Sequence, residues 1–249
     1  MSDPIVGLRE LAEGVIEVRM QDKVNKNTFT QELISGLTAA FARITADSRA
    51  RAVILTGYDS YFASGGTQAG LRDLHAGKFK FTDKDLYSLA VNCPIPVIAA
   101  MQGHGIGGGF VMGLFADLII LARESIYTAN FMKYGFTPGM GSTFIMPLKL
   151  GMVLAEEMML TAVTYRGEDL QKRGVAFPVL PRSQVQQHAL ELATALAQKP
   201  RVALVTLKDR LVAPLRAALP ECIEQEVQMH ELTFHQPEVR ERIEALFAK

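Results

Sequence analysis

Short apolar runs constrain the fold of this chain more than any other feature of its sequence. They are Ala52–Thr56, residues 96–101 and Leu118–Ala122. Their length and continuous apolar character are typical of strands buried on both faces of a parallel sheet. Segments with helical periodicity surround them, for example residues 33–44. Strands that alternate with helices predict an α/β fold.

The C-terminal part of the chain shows a different pattern. Beyond about residue 135 the strand signal fades, and four segments have helical periodicity: 152–160, 183–198, 203–216 and 220–234. We therefore predict an α/β core over residues 1–190 and a helical region over residues 191–249, joined as one structural unit without a flexible linker.

Charge and composition disfavour several functional classes. The 249 residues include 26 Lys plus Arg and 26 Asp plus Glu, so the formal net charge is zero. Proteins that bind nucleic acid or anionic membranes usually carry a basic surplus, so neither is an expected partner. The sequence has no typical signal peptide or membrane span, and its two cysteines are too few for a disulfide scaffold. Together these features predict a cytoplasmic protein.

Two glycine-rich turns place bare backbone where a ligand can approach. They cover residues 62–67 and 103–109, and the second leads into an apolar helix. Amides at such turns favour a negative charge, either a phosphate or an oxyanion. The second turn also matches G-x-G-x-x-G, but no acidic residue follows at the distance expected of a dinucleotide site. The alternative is that these glycines only allow close helix packing.

Six segments carry a resemblance to a known family: AVILTG (52–57), YFASGG (61–66), PVIAAMQG (96–103), GGG (107–109), AD (116–117) and GFTPG (135–139). In order and spacing they resemble the crotonase (enoyl-CoA hydratase/isomerase) superfamily over essentially the whole chain. The resemblance implies a spiral of ββα units, a helical C-terminal trimerisation region and a thioester substrate. It also implies an oxyanion hole in which the backbone amides of Gly66 and Gly108 hold the thioester oxygen.

The chain departs from the family pattern at two positions that bear on chemistry. Hydratases of this family use two glutamates as acid and base on a water, and the corresponding residues here are Val111 and Phe131. Acid–base catalysis needs a titratable group within hydrogen-bond reach, which neither side chain supplies. We therefore expect a retained oxyanion hole without hydration chemistry, with Val111 and Phe131 lining an apolar pocket. Isomerases that depend on the second glutamate are disfavoured for the same reason.

His230 and Lys80 are the candidates to replace the missing acids. The spacing of His230 from Ile223 and Phe234 puts its side chain on the apolar, inward face of a helix. Lys80 lies in the loop that follows the first glycine turn, where Lys78 is a close alternative. A histidine on an apolar face is more often a core residue, and a loop lysine is normally a solvated charge.

A narrower resemblance, to the decarboxylases of polyketide β-branching cassettes, is carried by MQGHGIGGG (101–109) and NFMKYGFTP (130–138). It implies that Lys80 and His230 are catalytic. The implied reaction is decarboxylation of a 3-methylglutaconyl thioester on an acyl carrier protein, giving a 3-methylcrotonyl thioester through a dienolate. No cofactor or metal is implied. The implied partners are the carrier protein with its phosphopantetheine thioester and further copies of this chain, as a trimer or a dimer of trimers.

Two other functions remain open at this point. An enoyl-thioester isomerase with His230 as its proton shuttle would use the same oxyanion hole but needs no group to hold a carboxylate, so it predicts an active Lys80 variant. A non-catalytic homologue that binds acyl thioesters or RNA is the second. Zero net charge weighs against RNA, because phosphate contacts require clustered Lys and Arg.

Overall fold

A six-stranded sheet forms the centre of the computed structural model, which describes residues 4–83 and 85–248. In spatial order its strands are β1 (Val6–Ala12), β2 (Val15–Met20), β3 (Ala52–Thr56), β5 (Val97–Met101), β7 (Leu118–Ala122) and β10 (Val179–Leu180). All neighbours pair in parallel except β1 and β2, which are antiparallel. The apolar runs of the sequence are therefore the central strands β3, β5 and β7, as predicted.

A smaller sheet lies beside the first and carries the site. Its strands, in spatial order, are β4 (Tyr61–Ala63), β6 (His104–Ile106), β8 (Ile126–Thr128) and β9 (Thr164–Arg166). The first three pair in parallel, and β9 is antiparallel to β8. Because β4 and β6 are neighbours, the two glycine-rich turns that follow or contain them meet at one end of this sheet.

The helices cover both faces of the larger sheet. They are α1 (Gln31–Ala46), α2 (Gln68–His75), α3 (Leu89–Asn92), α4 (Gly108–Leu114), α5 (Ser142–Leu150), α6 (Met152–Thr161), α7 (Gly167–Lys172), α8 (Arg182–Ala197), α9 (Arg201–Thr233) and α10 (Pro237–Phe247). Short 3-10 helices span Phe81–Asp83 and Asn130–Tyr134. Within the described residues, none of these helices combines the length and apolar character that a membrane crossing requires.

The ββα unit repeats along the chain, as the resemblance implies. The order β3–β4–α2 recurs as β5–β6–α4, and then as β7–β8 followed by the 3-10 helix Asn130–Tyr134. Helix α8 packs on one face of the larger sheet through Val185, Ala189 and Ala193, while the main hydrophobic core fills the other face. The predicted α/β fold with a helical C-terminal region is confirmed. The predicted boundary after residue 190 falls inside α8, and the division at that point stays a prediction.

The C-terminal helices differ from the prediction. We expected separate helices over 203–216 and 220–234, but one 33-residue helix, α9, contains both Pro214 and Pro220. An internal proline removes a backbone hydrogen bond and normally breaks or kinks a helix. Here buried side chains hold α9 on both sides of the prolines, with Lys208 on the N-terminal side and Ile223 and Glu226 on the C-terminal side. The terminal helix α10 was not predicted.

Lys208 anchors the first half of α9 to the sheet. Its side chain is 3% exposed, and its Nζ lies 2.7 Å from Oδ2 of Asp117. The same ammonium donates to the carbonyl oxygens of Ala90 at 2.8 Å and Ile95 at 3.0 Å, and Asp117 accepts from the amide of Val97 at 2.7 Å. Lys208 is buried and Asp117 is 21% exposed, and both charges are hydrogen-bonded, which is the condition under which such a pair is tolerated.

We expect Lys208→Met to lower the free energy of unfolding by about 1–3 kcal/mol, because the mostly buried carboxylate of Asp117 loses its hydrogen-bonded cationic partner. Urea unfolding followed by circular dichroism measures the loss. The double variant Lys208→Met with Asp117→Asn removes both charges while keeping an acceptor for Val97, so it should be more stable than Lys208→Met. Equal stability of the wild type and Lys208→Met would contradict the anchoring role.

Candidate active site

A cavity of about 550 Å³ lies where the two glycine-rich turns meet the last turns of α9. The first turn contributes Gly66 and the second contributes Gly108. Phe131 from the 3-10 helix, His230 from α9 and Phe247 from α10 complete the wall. Most of the remaining lining is apolar, as is usual for a site that binds an organic ligand.

The two turns approach so closely that side chains are excluded between them. Gly65 has a φ of +73°, and a Cβ at this position would lie 2.8 Å from the carbonyl oxygen of Ile106 and 3.2 Å from the amide nitrogen of Gly108. Only glycine fits both the conformation and the contact. Gly66, the next residue along the chain, lines the same cavity as Gly108.

Both of these amides are available to a ligand. Gly108 is the first residue of α4, so its N–H has no acceptor within the helix. Across residues 4–83 and 85–248, neither the Gly66 nor the Gly108 amide donates to another protein group. Neighbouring amides that point at a cavity are the arrangement that stabilises an oxyanion.

His230 reaches the same cavity from α9. Its Nε2 lies 2.8 Å from the carbonyl oxygen of Thr137, so Nε2 carries a proton and donates it. The imidazole lies among Phe81, Phe136 and Phe234, with ring centroids 4.9, 6.0 and 5.3 Å away. Burial lowers the pKa of His230 below its usual value near 6.5, opposed in part by hydrogen bonds to backbone carbonyls. The ring is therefore neutral near pH 7, with Nδ1 as its lone-pair nitrogen.

Lys80 lies at the edge of the site rather than in the main cavity. Its Nζ forms an ion pair with Oε1 of Glu231 at 3.1 Å, and its side chain is 58% exposed. A smaller pocket of about 140 Å³ is lined by both Lys80 and His230. Lys78 instead pairs with Asp73 at 2.7 Å. The structure thus brings Lys80, and not Lys78, into a pocket with His230.

The two hydratase positions have different surroundings. Phe131 lines the cavity. Val111 is fully buried in the hydrophobic core and is not part of the cavity wall, so that prediction needs correction. The physical reason is that Val111 lies almost one turn beyond Gly108 on α4, where an aliphatic side chain gains about 1.5–3 kcal/mol by full burial. Neither position presents a group that can carry a proton.

A buried carboxylate, Glu226, shapes this site and was not predicted from the sequence. Glu226 is 0% exposed and accepts hydrogen bonds from the amides of Gly141 at 2.7 Å and Thr143 at 2.9 Å. It thereby fixes the loop of Met140, whose sulfur covers Gly108 at the cavity wall. Burial raises the pKa of Glu226, while these hydrogen bonds lower it. The signal in the sequence was an acidic residue one turn before His230 on the inward face of α9.

The family of the chain follows from comparison with known proteins. A family model described as enoyl-CoA hydratase/isomerase matches residues 10–249. The chain belongs to this family. The resemblance to the crotonase superfamily, on which the oxyanion-hole assignment was based, is confirmed.

Several relatives in this family are decarboxylases. The chain is 63% identical over 247 residues to the bacillaene synthase decarboxylase PksI of Bacillus subtilis, with 99% of each protein covered. A solved structure from a dehydratase/decarboxylase enzyme couple involved in polyketide β-branching is also 63% identical, with a TM-score of 0.97 and 98% and 100% of the two chains covered. The ECH2 decarboxylase domain of CurF from Lyngbya majuscula is 42% identical, with a TM-score of 0.95 and the same coverage. The narrower resemblance to β-branching decarboxylases is confirmed.

The half-buried, neutral imidazole of His230 leads to a prediction about how stability depends on pH. Because its pKa is lower in the folded chain than the usual 6.5, the unfolded chain binds this proton first as the pH falls. His230 therefore reduces the free energy of unfolding progressively as the pH drops below about 6.5. We expect His230→Asn, which does not titrate, to lose less stability than the wild type between about pH 7.5 and 5.5. Urea unfolding at both pH values measures this difference, and an identical loss in the two proteins would contradict it.

Proposed function

We propose that this protein decarboxylates a 3-methylglutaconyl thioester carried on an acyl carrier protein, giving a 3-methylcrotonyl thioester and CO2. One observation carries the proposal: the free amides of Gly66 and Gly108 share an apolar cavity with His230, while both hydratase positions lack a proton carrier. Such a site can stabilise a thioester enolate and has lost the pair of acids that adds water.

Decarboxylation releases the electron pair of the broken carbon–carbon bond, and the site must stabilise it. When the bond between C4 and the carboxylate carbon breaks, CO2 leaves, and the electrons move through the conjugated alkene to the thioester oxygen. The resulting dienolate is held by the amides of Gly66 and Gly108. One preorganised donor of this kind is worth about 3–4 kcal/mol. A proton added at C4 then gives the 3-methylcrotonyl product.

Lys80 binds the substrate carboxylate, and His230 supplies the proton. The ammonium of Lys80 can pair with the substrate carboxylate beside the pocket that it shares with His230. A bound carboxylate raises the pKa of a neighbouring histidine, so the substrate itself favours a protonated His230. After CO2 has left, His230 is positioned to deliver that proton to C4.

The apolar wall supports this reaction in two ways. Side chains such as Phe131 and Phe136 line the cavity and carry no group that could activate a water molecule. A water-poor cavity also strengthens the hydrogen bonds to the oxyanion and disfavours the localised charge of the carboxylate relative to the dispersed charge of the transition state.

The partners of the reaction are part of the proposal. The substrate arrives as a phosphopantetheine thioester on an acyl carrier protein in the cytoplasm. We also propose that the chain forms a homotrimer or a dimer of trimers. The oligomer is supported by a group of exposed apolar side chains on α5 and α6. They are Leu148 (60% exposed), Met152 (58%), Val153 (76%) and Leu160 (71%). Apolar surface of this kind marks a contact with another protein.

The activity can be tested with purified protein and 3-methylglutaconyl acyl carrier protein, with intact-protein mass spectrometry to follow the loss of CO2. We expect His230→Ala and Lys80→Ala each to lower kcat by about 10²–10⁴-fold, the usual contribution of a positioned proton carrier or charge. Lys78→Ala is the comparison variant: Lys78 lines neither pocket, although its partner Asp73 lines the main cavity, and we expect this variant to keep turnover within a few-fold of the wild type.

The possible results separate the open functions. Wild-type turnover in both His230→Ala and Lys80→Ala would contradict the residue assignment. Rapid hydration of a crotonyl thioester by the wild type would contradict the decarboxylase. An enzyme that shifts the double bond, needs His230 and tolerates Lys80→Ala would be the isomerase instead.

A further inference from the structure

One polar side chain of the cavity, that of Asn130, is not used for hydrogen bonding within the described protein. Asn130 lines the cavity, and within the described parts of the chain its amide forms no hydrogen bond with another protein group. Other amides of the same wall are already engaged. The side chain of Asn25 donates to Asp22 at 2.9 Å, and that of Gln31 donates to Ser35 at 3.2 Å. An amide carries two donor hydrogens and an acceptor oxygen, so Asn130 retains its full capacity for a ligand.

Asn130 lies next to the proposed oxyanion hole. Gly107 has a φ of +54°, and a Cβ at Gly107 would lie 2.7 Å from Oδ1 of Asn130. The amide of Asn130 therefore rests against the backbone one residue before Gly108. This placement is held by the sheet, since the amide of Gly107 donates to the carbonyl oxygen of Thr128 at 2.8 Å. Oδ1 faces Gly107, while Nδ2, at the other end of the same amide, donates to no protein group within the described residues and remains available to a ligand.

We propose that Nδ2 of Asn130 is a third hydrogen-bond donor to the thioester oxygen, acting with the amides of Gly66 and Gly108. The inference rests on the proposed function, because it requires a thioester whose oxygen gains charge. A donor that is already in place and has no partner to give up can stabilise that charge without reorganising during the reaction. Asn130 touches the substrate in this arrangement and is therefore a catalytic residue.

A purely structural role does not account for Asn130. It is the first residue of the 3-10 helix Asn130–Tyr134, a position where asparagine could serve as a cap, but the cap residue is Ala129 and no side chain caps this helix. Replacing Asn130 by leucine, which has a similar shape, removes no hydrogen bond within the protein. The melting temperature should therefore change little, and a loss of activity would have to arise from the ligand.

Steady-state kinetics of Asn130→Leu with 3-methylglutaconyl acyl carrier protein test the role in turnover. We expect kcat to fall by about 10- to 10³-fold with KM within about threefold of the wild type, because the donor acts on charge that develops in the transition state. Asn130→Asp should lose at least as much, since a carboxylate there offers no donor and repels the oxyanion. Asn92→Leu is the matched control, because Asn92 is exposed on α3 and bonded to Ser88, and it should keep wild-type kinetics.

A second measurement is independent of turnover. A saturated 3-methylglutaryl thioester has no alkene to accept the electron pair, so it binds without losing CO2. With a ¹³C-labelled carbonyl, infrared difference spectroscopy reports hydrogen bonds to the thioester oxygen. We expect the carbonyl band to move to lower frequency when the thioester binds the wild-type protein, and to move less in Asn130→Leu, while Asn92→Leu matches the wild type.

The outcomes distinguish the two proposals. Equal carbonyl shifts in Asn130→Leu and the wild type would overturn the role of Asn130, whatever the decarboxylase activity. A smaller shift in Asn130→Leu, combined with a wild type that releases no CO2, would support the donor and overturn the decarboxylase. A wild type that binds no thioester would overturn both. A melting temperature that falls by more than a few degrees in Asn130→Leu would mean that Asn130 has a structural role after all.

Discussion

The rest of the site depends on the close contact between two backbone turns. Gly65 lies against the carbonyl of Ile106 and the amide of Gly108, and a Cβ on Gly109 would lie 2.2 Å from the carbonyl oxygen of Ala63. Side chains are excluded on both sides of this contact, so the parallel pairing of β4 and β6 brings bare backbone together. The proposed oxyanion hole is thus a product of strand order. Its amides hold their positions because moving one turn would mean moving a strand.

The side chain of His230 must also be held in a fixed position, and the long helix α9 provides this. His230 lies near the end of α9, more than 20 residues from the Lys208–Asp117 pair that anchors its start. Glu226 provides the second anchor one turn before His230, through the amides that begin α5. A buried ion pair is weak evidence for added stability, but it disfavours other registers, because a shifted charge would be left unpaired. We therefore regard these anchors as devices that hold His230 at the cavity.

Elements whose residues must be buried could be predicted from the sequence. Contacts between residues that are far apart in the sequence could not. The strands β3, β5 and β7 could be predicted because a strand buried on both faces must be apolar throughout. The break predicted near Pro220 was wrong, because a local penalty of about 3 kcal/mol was outweighed by packing along α9. The correspondence with hydratase glutamates identified Val111 but not the direction of its side chain. The partner of Lys80 could not be predicted either, since Glu231 is 151 residues away in the sequence and the loop has no periodicity.

In the proposed reaction, the ion pair between Lys80 and Glu231 gives the site a means of selecting its substrate. Both side chains are more than half exposed, at 58 and 54%, and such pairs contribute only about 0–1 kcal/mol. Lys80 can therefore exchange Glu231 for a substrate carboxylate at little cost. Burial keeps the pKa of His230 low although the nearby Glu231 opposes this in part, and a bound substrate carboxylate would raise that pKa further. An acyl chain without a carboxylate therefore meets a His230 that is less readily protonated. Hydratases of this family have glutamates at the positions of Val111 and Phe131. In the proposed reaction, the carboxylate near the reacting atoms belongs to the substrate instead.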